Sequence, residues 1–372
     1  MGRLGPIRPR GAPVARPHHR PDDADAAADA LAAFGAWLTD ELAPQARGHF
    51  PLGEEALGRL LADHHLLDES PAAVAARGEA LCARTDEAMA ELAPQGDWRA
   101  ALHEAKQHRP DHEGLLPAYR EAAERMTARC AEAGVVTDPG VPLTVEATPE
   151  FLRPMLSYAA YLAPGAFDEL AGAGRFWVTP PGDDGGLTDH NFATIQSVSA
   201  HEGYPGHHLQ LTAVGRNPGI ARRMRVSTLM TEGWGLYCEE LMAEVGAYDD
   251  AARLAQLAMT KLRAVRICVD MGLQTGAMSP EEAVDRLAHE ADLARSTAAG
   301  EVDRYTFTPD QPFTYLYGAE QIRELRAAWR ARHGGGLRAF HDELLRYGHF
   351  PPELAAERML AGSGRSEPEE SP

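Results

Sequence analysis

A chain of 372 residues can bury a large core, and its Ala-rich, aromatic-poor composition with few alternating β-branched runs points to a mostly α protein. The balance of 55 acidic against 36 basic residues, a formal charge of -19, argues against nucleic acid or an anionic membrane as the main partner, because both need clustered Lys and Arg. Cys82, Cys130, Cys238 and Cys268 are scattered without Cys-x-x-Cys spacing, which fits buried thiols in a reducing compartment and gives a cytoplasmic expectation.

No run approaches the roughly 18 apolar residues that span a bilayer. Residues 1–22 are basic and Pro-rich with no apolar h-region, so they read as a disordered tail in which His18 and His19 are solvated. Residues 23–360 read as a single mainly helical catalytic domain, and 361–372 as a second disordered tail.

In chain order, apolar residues at helical spacing predict helices from Asp23 to about Leu42 and from about Glu54 to Leu67, with His64 and His65 near the second one's C-terminus. Ser70-Pro71 starts a helix to Leu92. Further helices run from Asp97 to Gln107 and from about Glu113 to Ala133, the last closed by Gly134. Val141–Ala147 and Arg175–Thr179 are β-branched and apolar and predict strands, with Pro149–Ala163 between them expected to be helical. Thr188 or Asp189 is the expected N-cap of the next helix. Helices are then expected over Val226–Val245, Asp249 to about Thr275, Ser279–Ala298, Gln311–His333 and Leu337–Tyr347, followed by a short one after Pro351-Pro352.

The chemistry concentrates in His201-Glu-Gly-Tyr-Pro-Gly-His207-His208. A zinc-binding helix commonly carries two His at i and i+4 with a Glu just after the first, but here i+4 is Pro205. On a straight helix His207 would point roughly 240° away from His201, and His208 would lie roughly 10 Å along the axis. Pro205 removes a donor and Gly206 allows unusual backbone angles, so a bulge is expected to swing His207 toward the metal, with His208 as the reserve ligand. A third ligand is sought on a neighbouring helix. Glu232 opens an amphipathic segment in which Leu236 and Glu239 or Glu240 follow at helical spacing, while Gly233 and Gly235 permit close packing.

These stretches, His201-Glu202-x-x-Pro205-Gly206-His207 and Glu232-Gly233-Trp234-x-x-Tyr237, resemble the signature of the bacterial domain-of-unknown-function 885 family, whose clan resembles the gluzincin metallopeptidases. The resemblance runs from about Asp97 to Arg326 and takes in Asp270-x-Gly272-Leu273 and Gln311-x-x-x-Tyr315-x-x-Gly318. It implies a multi-helix zincin-related metallohydrolase fold with a small β element near the active-site helix. It also implies one Zn2+ held by His201, His207 and Glu232, with Glu202 as general base and Tyr315 as a hydrogen-bond donor to an oxyanion. Arg266, Gln274 and Gln311 are the substrate-binding candidates. Arg263 shares the Arg266 helix and is equally placed to bind a carboxylate, although an ion pair is the commoner use of Arg. The chain departs from the family at Gln274, where members often carry His.

The leading expectation is zinc-dependent hydrolysis of a peptide or small-molecule amide. Its rivals are a metalloenzyme specialised for a small metabolite and a non-catalytic helical binding protein.

Overall fold

A computed structural model describes residues 21–93, 96–153, 155–156, 158–165, 172–182, 186–224 and 227–361. Contacts divide the chain into two units, Met1–His49 and Phe50–Pro372. The tails expected at 1–22 and 361–372 lie almost wholly outside the described residues. The first unit carries α1 (Pro21–Trp37), which passes through a π turn at Leu38–Leu42 and a 3-10 turn at Ala43–Gln45.

In the second unit come α2 (Glu54–Asp63), α3 (Pro71–Leu92), α4 (Trp98–Gln107) and α5 (Leu115–Ala133). Their expected signals hold: Ser70 and Asp97 accept from the N–H groups of Ala73 and Ala100, and Gly134 closes α5 at φ 60°. α2 ends at Asp63, before His64 and His65, because the chain turns through Leu66 at φ 59°.

Strands β1 (Leu143–Ala147), β2 (Ala159–Leu162) and β3 (Gly174–Val178) form a three-stranded sheet in the order β1-β3-β2. β1 runs parallel to β3, with Val145 opposite Phe176, and β2 runs antiparallel, with Tyr161 opposite Phe176. The helix expected over 149–163 does not form. A 3-10 turn at Glu150–Leu152 gives way to β2, for which β3 supplies the ladder, with Ala159 opposite Val178 and Leu162 opposite Arg175.

Next are α6 (Phe192–Glu202), α7 (His207–Gly215), α8 (Ile220–Arg223), α9 (Thr228–Glu244) and α10 (Asp250–Thr275). Asn191, and not Thr188 or Asp189, caps α6 by accepting from Thr194 N–H, since Gly186–Thr188 is itself a 3-10 turn. The run expected from Ser279 to Ala298 is two helices, α11 (Pro280–Glu290) and α12 (Arg295–Phe307), parted where Asp292 takes φ 54°. α13 (Thr314–His333), α14 (Leu337–Leu345) and α15 (Pro352–Leu360) complete the unit. The fold is mostly helical with one small sheet, and no helix among the described residues is long and apolar enough to cross a membrane.

Two packings place the site. The sheet and α5 cover one side of α6 through Tyr119, Val145, Phe176, Ile195 and Val198. On the other side, α9 and α13 approach through glycines: a Cβ on Gly233 would stand 2.6 Å from the Gly318 backbone, and one on Gly318 would stand 2.1 Å from the Leu229 carbonyl oxygen. Backbone cannot yield as a flexible side chain can. Gly318→Ala should therefore lower stability by ~1–3 kcal/mol, the scale of an overpacked core, with a matching fall in Tm. Gly300→Ala, on α12 with nothing within 4 Å, should be neutral or slightly stabilising.

Candidate metal centre

α6 delivers His201 in its last turn, and α7 delivers His207 as its first residue. The expected bulge in one helix is a break between two. The Tyr204-Pro205 peptide is cis, Gly203 and Gly206 adopt angles outside the helical region, and Gly206 N–H donates to the Ala200 carbonyl at 2.9 Å. A Cβ on Gly206 would lie 1.9 Å from the His201 carbonyl oxygen, so only glycine fits. Trp234 of α9 fastens the break by donating its indole N–H to the Pro205 carbonyl at 2.9 Å.

His201, His207 and Glu232 form one group whose ligand atoms all lie within 4.8 Å of one another. The two rings are 4.6 Å apart and nearly perpendicular at 86°. Glu232 Oε2 is 3.6 Å from His201 Nε2 and 3.5 Å from His207 Nε2. Gly235, one turn along α9 from Glu232, makes room for the His201 ring, since a Cβ there would come within 2.6–2.9 Å of three ring atoms.

His208 faces elsewhere. Its Nε2–H donates to the Val141 carbonyl and its Nδ1 accepts from the Tyr161 hydroxyl, each at 2.9 Å. Burial holds its pKa below the ordinary value, consistent with a neutral ring bonded at both nitrogens. Between the two histidines that the sequence left as alternatives, the geometry gathers His207 and seats His208 against the sheet.

Sequence reasoning assigned no role to Glu239. Its Oε1 accepts from His201 Nδ1–H at 2.8 Å, which turns Nε2 toward Glu232. The signal was present: Glu239 lies seven residues, about two turns, beyond Glu232 and shares its helix face. Burial opposes charge on His201, but hydrogen bonds to Glu232 and Glu239 outweigh it and raise the pKa to about 10. Burial likewise opposes charge on Glu232, and the two imidazoles outweigh it and hold the carboxylate well below its usual range.

Glu202, half-buried at the end of α6, forms no hydrogen bond or ion pair with a described residue, and its charge is felt by His201. The Tyr315 ring stacks on His201 at 6.4 Å. Its oxygen accepts from Gln311 Nε2 at 3.1 Å, while Gln311 Oε1 accepts from Arg304 at 2.8 Å. Gln311 is thus a positioning residue for Tyr315. Burial, with Glu232 nearby, pushes the Tyr315 phenol up to about 12.

Two of the substrate-binding candidates are engaged within the fold. Arg266 donates to the Tyr305 hydroxyl at 2.7 Å and pairs with Glu301 at 2.6 Å. Gln274, fully buried about 16 Å along α10 from Arg263, donates to the Tyr305 carbonyl at 2.9 Å. Its buried amide ties α10 to α12.

A second group, His64, His65 and Asp310, also brings ligand atoms within 4.8 Å. The buried His65 donates to Asp310 at 2.8 Å and packs edge-on against Phe313, while His64 is exposed. Together with the buried Asp270, whose carboxyl accepts from Phe313 N–H, this contact fixes the turn that launches α13.

Residues 16–359 match the family described as "Bacterial protein of unknown function (DUF885)". The chain belongs to that family. Among solved structures it is similar to "the putative lipoprotein from Colwellia psychrerythraea", with TM-score 0.76 and 23% identity over 86% of this chain and 58% of that one. It is also similar to "a putative lipoprotein of unknown function from Shewanella oneidensis", with TM-score 0.77 and 23% identity over 90% of this chain and 65% of that one. The chain thus spans about six-tenths of the length of these two neighbours, with which it shares the fold. No curated protein matches it.

The charge balance carries a sign that can be tested. Because the His201 pKa is raised above the unfolded value of about 6.5, its stabilisation is complete below that pH and is lost as pH rises through about 10. Chelator-treated protein should lose Tm progressively between pH 6.5 and 10. Glu239→Gln, which removes one of the two carboxylates, should flatten that slope.

Proposed function

We propose that this protein is a zinc-dependent hydrolase of a peptide or other amide bond and that its family stands beside the gluzincin metallopeptidases. The observation that carries the reading is the convergence of His201, His207 and Glu232 beside a carboxylate, Glu202, with no hydrogen-bonding partner among the described residues. Two imidazole nitrogens and one carboxylate oxygen are a donor set of catalytic zinc sites, which leave a position open. The Glu239 hydrogen bond to His201 Nδ1–H leaves the Nε2 lone pair for a metal, the usual arrangement behind a ligating histidine.

His201, His207 and Glu232 would hold the ion. Bound there, zinc supplies a Lewis acid that polarises the scissile carbonyl and lowers the pKa of water. Glu202 takes a proton from the attacking water and returns it to the leaving nitrogen as the C–N bond breaks. Tyr315, kept protonated and with its oxygen already accepting from Gln311, has its own O–H free to donate to the carbonyl oxygen as that atom gains charge.

Purified protein should contain about one zinc per chain and cleave members of a library of peptides and N-acyl amino acids. Glu202→Gln should keep the metal, measured by elemental analysis, while lowering kcat on the order of 10²–10⁴-fold. Full turnover in that variant, or protein that takes up no stoichiometric zinc, would sink the reading.

A further inference from the structure

α10 carries three cationic side chains that are almost fully withdrawn from solvent: Lys261, Arg263 and Arg266, at 4%, 9% and 8% exposure. Buried cations are nearly always paired, because removing a charge from water is costly unless an opposite charge replaces the lost hydration. Lys261 is paired with Asp86 at 2.6 Å, and Arg266 with Glu301 at the same distance. Arg263 is the exception. It forms no ion pair with a described residue; one Nη1–H reaches the Met259 carbonyl at 3.3 Å, and its buried Nε has no partner.

The guanidinium is also set beside a like charge. Arg263 and Arg266 are three residues apart on one helix face, and burial together with the Arg266 charge depresses the Arg263 pKa. The Glu239 and Glu301 carboxylates act on it only through space. Glu239 itself spends Oε1 on His201, and its buried Oε2 has no hydrogen-bond partner. A bidentate fork of donors held in a dry setting is the arrangement that recognises a carboxylate.

Its location ties it to the metal group. The Tyr315 ring lies 5.8 Å from the Arg263 guanidinium carbon and 6.4 Å from the His201 ring. The Arg263 guanidinium carbon is therefore within the span of about four residues of extended chain from the His201 ring, at roughly 3.3–3.6 Å per residue, so a substrate of a few residues or fewer can reach both.

We propose that Arg263 binds the free carboxylate of the substrate, so that the protein acts on C-terminal peptide bonds or on N-acyl amino acids. The inference rests on the hydrolase reading for its reaction, but the binding step stands apart from zinc. It moves the carboxylate-binding role from Arg266, whose guanidinium is already engaged by Glu301, to its unpaired neighbour.

The test is equilibrium binding of a panel of N-acetyl amino acids and the matching carboxamides to the full chain, by calorimetry, in zinc-loaded and chelator-treated protein. At least one free acid should bind about tenfold or more tightly than its carboxamide in both forms, the scale of one charge-assisted hydrogen bond. Arg263→Met should abolish the preference, and Arg263→Lys should keep part of it. The Met variant should retain zinc affinity and an equal or higher Tm, because it removes an unpaired buried charge. Equal binding of acids and amides, a preference that survives Arg263→Met, or a fall in Tm and zinc affinity matching the loss of binding would each overturn the proposal. Acid preference in protein that takes up no zinc would leave this inference standing and remove the hydrolase reading. Zinc-dependent cleavage with no acid preference would do the reverse.

Discussion

Glu232 between the His201 and His207 rings is the contact on which the surrounding structure depends. A carboxylate and two imidazoles drawn out of water destabilise the fold unless each compensates another, and they do so only when their polar atoms come within a few ångströms. The chain meets that condition with backbone and not with side-chain reach. Gly235 leaves space for the His201 ring, Gly206 lets the chain turn back beneath the His201 carbonyl, and Trp234 fastens the turn through Pro205. Each of these residues is explained by what a larger or different side chain would hit.

The same logic extends outward to residues far away in sequence. α13 lies close against α9 because Gly233 and Gly318 face each other without side chains. Its first turn is fixed by Asp270, whose buried carboxyl accepts from Phe313 N–H, and by the His65 contact to Asp310. Those restraints set the position of Tyr315, and Gln311 then sets the orientation of its hydroxyl. Two segments that in sequence are separate patterns, Asp270-x-Gly272-Leu273 and Gln311 to Gly318, are thus one mechanical unit that holds a phenol above His201.

Electrostatics divide the neighbourhood into two halves. Around His201 the carboxylates Glu232 and Glu239 outweigh the cost of burial and favour positive charge. Around Tyr315 the cations of α10 draw near as well: the Arg263 and Arg266 guanidinium carbons both lie within 6 Å of its ring. A polar molecule lying across Tyr315 would meet the His201, His207 and Glu232 group at one end and the unpaired Arg263 guanidinium at the other. That asymmetry gives direction to the site and makes the unpaired state of Arg263 more than a local oddity.

The sequence by itself determined the helical class and most helix starts, because these depend on periodicity and capping residues, and its family resemblance implied His201, His207 and Glu232 with His208 left in reserve. Ser70, Asp97 and Gly134 stop and start helices by bonds to their own neighbours, so they are legible without the fold. Only the tertiary structure decided matters of partnership. It made 159–162 a strand because β3 lies beside it, and it separated His207 from His208 because Val141 and Tyr161 engage the second ring. It placed Glu239 behind His201, and it paired Arg266 while leaving Arg263 unpaired. The reason is physical: a hydrogen bond or ion pair between residues dozens of positions apart is set by how helices pack, and that packing here turns on glycines whose role is the absence of a side chain.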